Sequence, residues 1–365
     1  MLKVVKRGDV ENKTNILIRI TFIVLALSLV AVFLMLFGFN PLQVYGGIIK
    51  GSFGNSYSII ETIVKAVPLV ITALGISIAF KMKFWNIGGE GQILVGALFS
   101  TYIGLNFNYL PKSILLTLMA IAAISGGGTW ALISSILREK FNTNETIITL
   151  MLNYIAIKIV IYLQHGPWKD PAAMGFPKIK SFSFNATLPS ISSLHIGFII
   201  ALVLVVIVHV FLNNSKLGYE ISVIGESRNT AIYAGINIKR SIYLATFISG
   251  ALCGIAGFVQ ASAVSRTLSV EVAGGVGFTA IIIAWLSGLK PWVTVITSLC
   301  FAVLLQGTVY IQTAFGIPVA TAELLQATIL FFVLGSEFFI RYKIKLTNNV
   351  DTVGAINAAV NKGVE

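Results

Sequence analysis

The chain is poor in the residues that build redox and metal sites. Its 365 residues include two cysteines, Cys253 and Cys300, and three histidines, His165, His195 and His209. Both cysteines lie within apolar runs and read as core filler, so neither a disulfide framework nor a thiolate metal site is indicated. The histidines share no ligand spacing, which leaves no metal centre to expect. Charge is scarce as well: 11% of residues are charged, with 14 acidic side chains against 26 basic ones. The basic residues fall between apolar runs instead of clustering on one face, and this excludes a nucleic-acid surface. No Gly-Lys-Ser/Thr follows any glycine cluster, so the chain has no phosphate-binding loop. No His, Cys or carboxylate constellation of the kind that carries covalent chemistry is present, and no catalytic residue or cofactor is expected.

What the chain has in abundance is apolar sequence. Hydrophobic residues make up 56% of it and the mean hydropathy is +0.89, more than a soluble domain of this size can bury. It belongs in a bilayer. A hydrocarbon core of about 30 Å takes about 20 helical residues. Runs of that kind lie at 16–37, 63–80, 113–137, 147–163, 196–212, 242–263, 292–313 and 323–340. Two shorter runs, 91–105 and 277–287, reach only about 22 Å and 17 Å at 1.5 Å per residue. The count is about ten spans in an all-α membrane protein.

The first apolar run exceeds the 7 to 15 residues of a signal-peptide core, and no small-residue cleavage site follows Phe39, so it reads as a retained helix. With residues 1–15 inside, 18 lysines and arginines fall on the cytoplasmic side and six outside, with Lys65 and Lys158 within spans. That bias orients the chain, with both termini cytoplasmic. The membrane domain then covers 16–345, and the polar tail 346–365 reads as disordered. Residues 164–195 form the longest external segment, and Pro167, Pro171, Pro177 and Pro189 mark it as a structured loop. Residues 214–241 form the largest cytoplasmic loop.

A motif repeats. The stretch NIGGEGQILVG from Asn86 has a counterpart in GGVGFTAIIIAWL from Gly274: Gly-Gly-x-Gly, then a short apolar run. The runs are the third and eighth spans, five apart, so they cross in opposite directions as a five-plus-five inverted repeat. Interrupted helices in inverted repeats are a transporter device, because irregular backbone at membrane depth is tolerated only when buried in protein or lining a cavity. Asn86, Gly88, Gly89, Glu90, Gly91, Gln92, Gly274, Gly275 and Gly277 are therefore candidate lining of a substrate pathway, with close helix packing as the other reading. Glu90 lies near the cytoplasmic end of its span, which favours a gate or an interhelix contact over a direct ligand. Gly126, Gly127 and Gly128 read as packing residues. Asn153, interior to the fifth span, is either interhelical glue or a substrate contact, since a buried amide must find partners.

Other polar groups have local readings. Asn142 with Glu145 fits an N-cap and third-position carboxylate before the run at Ile147. Lys65 and Lys158 would each cost about 2.5–3.5 kcal/mol at the bilayer centre. Both lie in the outward half of their spans and can snorkel, with Glu61 placed to pair with Lys65. Glu323 and Glu337 lie near the ends of the last span. In the cytoplasmic loop, Ser227 is a suitable N-cap for a short helix containing Ala231, Ile232 and Ala234, and Gly235 is a suitable stop. Flanked by Arg228, Lys239 and Arg240, that helix is too short to insert, and it docks either on lipid or on a cytoplasmic partner.

The motifs FWNIGGEGQILVGA from Phe84, NETIITLMLNYIA from Asn144, IGESRNTAIYAGIN from Ile224 and GGVGFTAIIIAWLSG from Gly274 resemble the permease subunits of ATP-binding-cassette (ABC) importers of the branched-chain amino acid, simple-sugar and nucleoside group. The resemblance covers about 58–342. Its first two motifs look most like purine nucleoside permeases of the guanosine type. It implies a type II importer fold in the cytoplasmic membrane of a bacterium. The implied partners are a second, paralogous permease, a cytoplasmic ABC ATPase that uses the ATP, an extracytoplasmic substrate-binding lipoprotein, and membrane lipid. It also implies that Gly225, Glu226, Asn229, Ala231, Ala234 and Gly235 engage the ATPase, although Ser227-Arg228-Asn229-Thr230 replaces the more usual Asn-Pro-x-Ala. A simple-sugar permease and an ion-coupled secondary transporter are the alternatives.

Overall fold

The computed structural model describes residues 2–6, 12–191 and 193–346. The expectation of a disordered tail, and part of the N-terminal segment, lie outside them. Thirteen α-helices are described: α1 (Asn12–Leu36), α2 (Pro41–Phe53), α3 (Ser56–Lys81), α4 (Gly89–Asn106), α5 (Lys112–Phe141), α6 (Glu145–His165), α7 (Gly197–Asn214), α8 (Lys216–Glu226), α9 (Arg228–Tyr233), α10 (Ile238–Val259), α11 (Val276–Leu286), α12 (Pro291–Phe315) and α13 (Val319–Arg341). Two small antiparallel ribbons join β1 (Leu2–Lys6) to β4 (Tyr342–Leu346) and β2 (Ser190–Ile191) to β3 (Leu194–His195).

Among the described residues, eight helices are long and apolar enough to cross a membrane. The two expected short spans correspond to α4 and α11, which are not among these eight, so eight of the expected ten are found by length and composition. At 18 residues α4 reaches about 27 Å, longer than its apolar run, because Gly89 and Glu90 before the run and Asn106 after it belong to the helix. At 11 residues α11 reaches about 17 Å. The short helix α2 was not anticipated.

The chain divides into two compact units. In the terminal unit, Met1–Gly46 with Ile311–Glu365, Phe22 packs on Phe339 with ring centroids 5.0 Å apart, and Arg19 meets Glu337 at 3.5 Å. The larger unit, Gly47–Tyr310, is built on α3, α4, α5 and α10. Most of α3 is buried, including Pro68 in mid-helix.

Small residues let these helices touch backbone to backbone. A methyl group on Gly254 would strike the Ala123 carbonyl of α5, one on Gly96 would strike the Gly254 backbone, and one on Gly257 would strike the Ile93 carbonyl of α4. The three consecutive glycines of α5 behave as expected: Gly126 abuts Phe99, Gly127 the Gly250 carbonyl, and Gly128 the Phe247 ring. In lipid, where apolar burial drives little helix association, such close approach supplies dispersion contacts instead.

Local signals differ from expectation at three points. The N-cap of α6 is Asn144, whose side chain accepts the Thr146 and Ile147 N–H groups, while Asn142 ends α5 in the left-handed region at φ +52°. Asparagine tolerates that conformation, so the two asparagines divide the stop and the start between them. Cys253 is buried, but Cys300 is exposed on α12 and is not core filler. Among the described residues Glu61 and Lys65 form no direct ion pair.

Candidate functional site

Both Gly-Gly-x-Gly motifs open a helix, and the two helices begin against one another. Gly88 caps α4 and Gly275 caps α11 at φ +80°. The first turn of a helix leaves N–H groups without partners, carrying roughly half a positive charge. At α11 those groups are taken by Glu90: Gly275 donates to its Oε1 at 2.7 Å and Gly277 to its Oε2 at 2.8 Å. Gly277 lies so close that a methyl group on it would overlap the Glu90 backbone nitrogen. The carboxylate is 6% exposed, and it works as an interhelix clamp.

Around the clamp the remaining polar residues of the motif satisfy one another. Asn86 Oδ1 accepts from the Gly88 N–H at 3.0 Å and from Gln92 Nε2 at 2.9 Å, while Asn86 Nδ2 donates to Gln92 Oε1 and to Ser249 Oγ, each at 3.1 Å. Asn153 of α6 acts as a substitute peptide group: Oδ1 accepts from the Gly91 N–H at 2.8 Å and Nδ2 donates to the Ile87 carbonyl at 2.9 Å. Thr149, one turn earlier on α6, accepts the Ile87 N–H at 3.2 Å. Every buried amide in the set is paired, as the cost of an unpaired polar group in a membrane interior requires. The structure thus joins Asn86, Gly88, Glu90, Gly91, Gln92, Asn153, Gly275 and Gly277 through these hydrogen bonds, with Gly89 packed against Gly277, whereas Gly274 is exposed and makes none of them. Thr149 and Ser249 join this network without a sequence signal beyond the i, i+4 spacing of Thr149 and Asn153.

The far end of α11 is pinned differently. Trp285 stacks on Trp85 at 5.4 Å and 23°, with Phe80 at 5.3 Å from Trp85 and 5.8 Å from Trp285. Trp85 directly precedes the Asn86 network, so one short chain segment holds both ends of α11. Beside it, Phe84 is fully buried under the Arg138 guanidinium at 5.1 Å, and Arg138 also meets Glu145 at 3.5 Å.

The α8–α9 segment lies against the same end of α3. A methyl group on Gly225 would collide with the Lys81 carbonyl, so α8 sits directly on the last turn of α3. Ser227 caps α9, accepting the Thr230 N–H, and Gly235 ends the turn at φ +71°. Ala231 is buried, whereas Glu226, Asn229, Ala234 and Gly235 are exposed. On α9, Ile232 and Tyr233 are largely exposed, at 60% and 92%. Arg228 anchors the helix to the buried Glu139 of α5 at 3.4 Å, a contact without a sequence signal because the partners are 89 residues apart.

Among the described residues no group of three His, Cys, Asp or Glu side chains could hold a metal ion. His195 is buried in β3 with neither ring nitrogen hydrogen-bonded among the described residues, and burial pushes its pKa below the ordinary histidine value.

Polar groups that lock helices to one another, and a small exposed helix at one end of a polytopic bundle, describe a membrane permease, which moves a cargo without covalent chemistry. The chain belongs to the family described as branched-chain amino acid transport system / permease component, whose model matches residues 58–334. It is 33% identical to the glucose ABC transporter permease protein TsgB13 of Haloferax volcanii, over 87% of each chain. It is 30% identical to the guanosine ABC transporter permease protein NupP of Bacillus subtilis, over 91% of this chain and 97% of that one. With the nucleoside ABC transporter permease protein NupB of Lactococcus lactis it shares 32% over 88% of this chain and 92% of the other. No solved structure matches significantly.

Proposed function

We propose that this chain is the permease of an ABC importer that carries nucleosides, purine nucleosides foremost, across the cytoplasmic membrane of a bacterium. The support for this cargo is the likeness to two nucleoside permeases along nearly the whole chain, together with the motifs from Phe84 and Asn144. The likeness to a glucose permease favours a second reading, a hexose or pentose importer. Both cargoes carry a sugar ring and differ in the base.

The observation that carries the mechanism is α9, held by the Ser227 cap and the Arg228–Glu139 pair while Ile232 and Tyr233 stand clear of the fold. In the assembled importer α9 sits in a groove of a cytoplasmic ATPase, a paralogous permease completes the membrane path, and a lipid-anchored binding protein delivers cargo from outside. Both termini are cytoplasmic. ATP binding and hydrolysis on the partner move α9. Through Gly225 that motion reaches the end of α3, and through Trp85 it reaches α11 and the Glu90 clamp. The glycine network is the hinge beside the pathway, and its motion opens the path alternately to the two sides.

The test is reconstitution of the chain with its ATPase, second permease and binding protein in vesicles, followed by uptake of labelled guanosine and glucose. ATP-dependent guanosine uptake is expected. Tyr233→Ala weakens ATPase docking about thirtyfold, equal to about 2 kcal/mol, as loss of an aromatic anchor does. Gly235→Trp abolishes coupled uptake while the folded chain is recovered in normal yield. Sugar uptake alone would move the assignment to the second reading. Transport by the purified chain under an ion gradient without ATPase would overturn the importer reading.

A further inference from the structure

Several helices of the larger unit leave a face uncovered, and those of α6 and α7 differ in kind. On α7 the exposed large side chains are Ile199, Leu202, Val203, Val206, Ile207 and Val210, an aliphatic surface suited to lipid. On α6 the exposed stripe runs through Met151, Tyr154, Ile155, Lys158 and Tyr162, at three- and four-residue spacing along one side. Lys158 lies about 10 Å inside the His165 end of the helix. Among the described residues it has no hydrogen-bond or ion-pair partner. An ammonium turned toward hydrocarbon is costly, and unpaired charges in membrane helices face a polar interior or a water-filled path.

The stripe is fixed in direction. The opposite side of α6 buries Leu152, Asn153, Ala156 and Val160, and the two Asn153 hydrogen bonds to the Ile87–Gly91 backbone prevent rotation. Tyr154, Ile155, Lys158, Ile159 and Tyr162 border a shallow, open depression of about 380 Å³ along this one helix.

We propose that Tyr154, Lys158 and Tyr162 form a cargo-binding strip on the wall of the translocation path. This rests on the importer reading above. Tyrosines one turn to either side of an ammonium offer ring faces on which a heteroaromatic base stacks. The ammonium donates hydrogen bonds to carbonyl, ring-nitrogen or hydroxyl acceptors of a neutral cargo. The ligand class is an uncharged, hydroxyl-bearing heteroaromatic, as a nucleoside is. Buried Asn153 is a positioning residue that aims the strip.

The experiment uses the complete importer in vesicles. Lys158→Met keeps most of the length of the side chain and removes its charge. It is expected to lower nucleoside uptake per ATP hydrolysed by about tenfold or more, the effect of losing one charge-assisted hydrogen bond. Tyr154→Leu lowers uptake of a nucleoside more than uptake of free ribose, because only the nucleoside has a base to stack. An unchanged uptake-to-hydrolysis ratio in Lys158→Met overturns the proposal, and Lys158 then serves only to reach the headgroups.

A second variant covers failure of the first to assemble. Lys158→Cys, made with exposed Cys300 replaced by Ser, is challenged with a water-soluble thiol reagent. Reaction that slows when guanosine is present supports the strip. Absence of reaction, or reaction at a rate cargo does not change, overturns it. If the wild-type importer takes up glucose and no nucleoside, the cargo assignment fails, while protection of the introduced thiol by glucose still places the strip in the path.

Discussion

At the first glycine cluster a methyl group on Gly88 would press on Asn86 Oδ1 at 3.0 Å, on Gly89 on Ile76 at 3.2 Å, and on Gly91 on Asn153 Oδ1 at 2.9 Å. None of these glycines has a positive φ. At the second, Gly274 and Gly275 stand at φ +48° and +80°, and Gly275 has nothing within 4 Å of the missing methyl. A methyl group on Gly274 would meet the Glu271 carbonyl at 3.1 Å, and Gly277 repeats the crowding most severely, against the Glu90 backbone. Two motifs that read alike therefore use glycine for different physical reasons, one for space and the other for backbone conformation. The carboxylate of the first motif then takes up the N–H groups that the left-handed turn of the second leaves pointing inward.

Substitutions that separate space from conformation put this difference to the test. Gly277→Val forces three carbons into the Glu90 backbone and is expected to exceed the roughly 1–3 kcal/mol of ordinary overpacking. Thermal unfolding of the detergent-purified chain reads the loss, and a wild-type midpoint would dissolve the crowding argument. Glu90→Gln keeps the shape but removes the charge and one acceptor, a loss of about 1.5–3 kcal/mol for hydrogen bonds to a charged group. Chemical denaturation at constant m-value measures it. Hydrogen exchange at Gly275 and Gly277 should rise with it, and unchanged protection there would remove the clamp. Gly275→Ala has room for its methyl and bears only the left-handed strain, about 1–2 kcal/mol. A loss as large as that of Gly277→Val would erase the distinction between the two clusters.

Much of this was legible from one sequence. Eight spans followed from run length, the α9 helix from Ser227 and Gly235, and the pairing of the two glycine motifs from their likeness. Which glycine role each motif plays was not legible, because a missing side chain has the same letter whether it makes room for Asn153 or permits φ +80°. The Asn142 and Asn144 exchange has a similar origin: both residues suit a cap and a left-handed turn, and only the path of the backbone separates the two uses. The exposed side of α6 was hidden for another reason. Lys158 in the outward half of a span reads as a snorkelling side chain until the aliphatic face of α7 is set beside it.

The clamp also has a history within each molecule's synthesis. Glu90 and its nearest donor, the Gly275 N–H, are 185 residues apart. At about 5–20 residues per second, roughly 10–40 s separate their emergence from the ribosome. For that interval the first half of the bundle holds a carboxylate without its α11 partner. The arrival of Gly275 thus pairs this carboxylate only after α3, α4, α5 and α10, the helices on which the unit is built, have all been made.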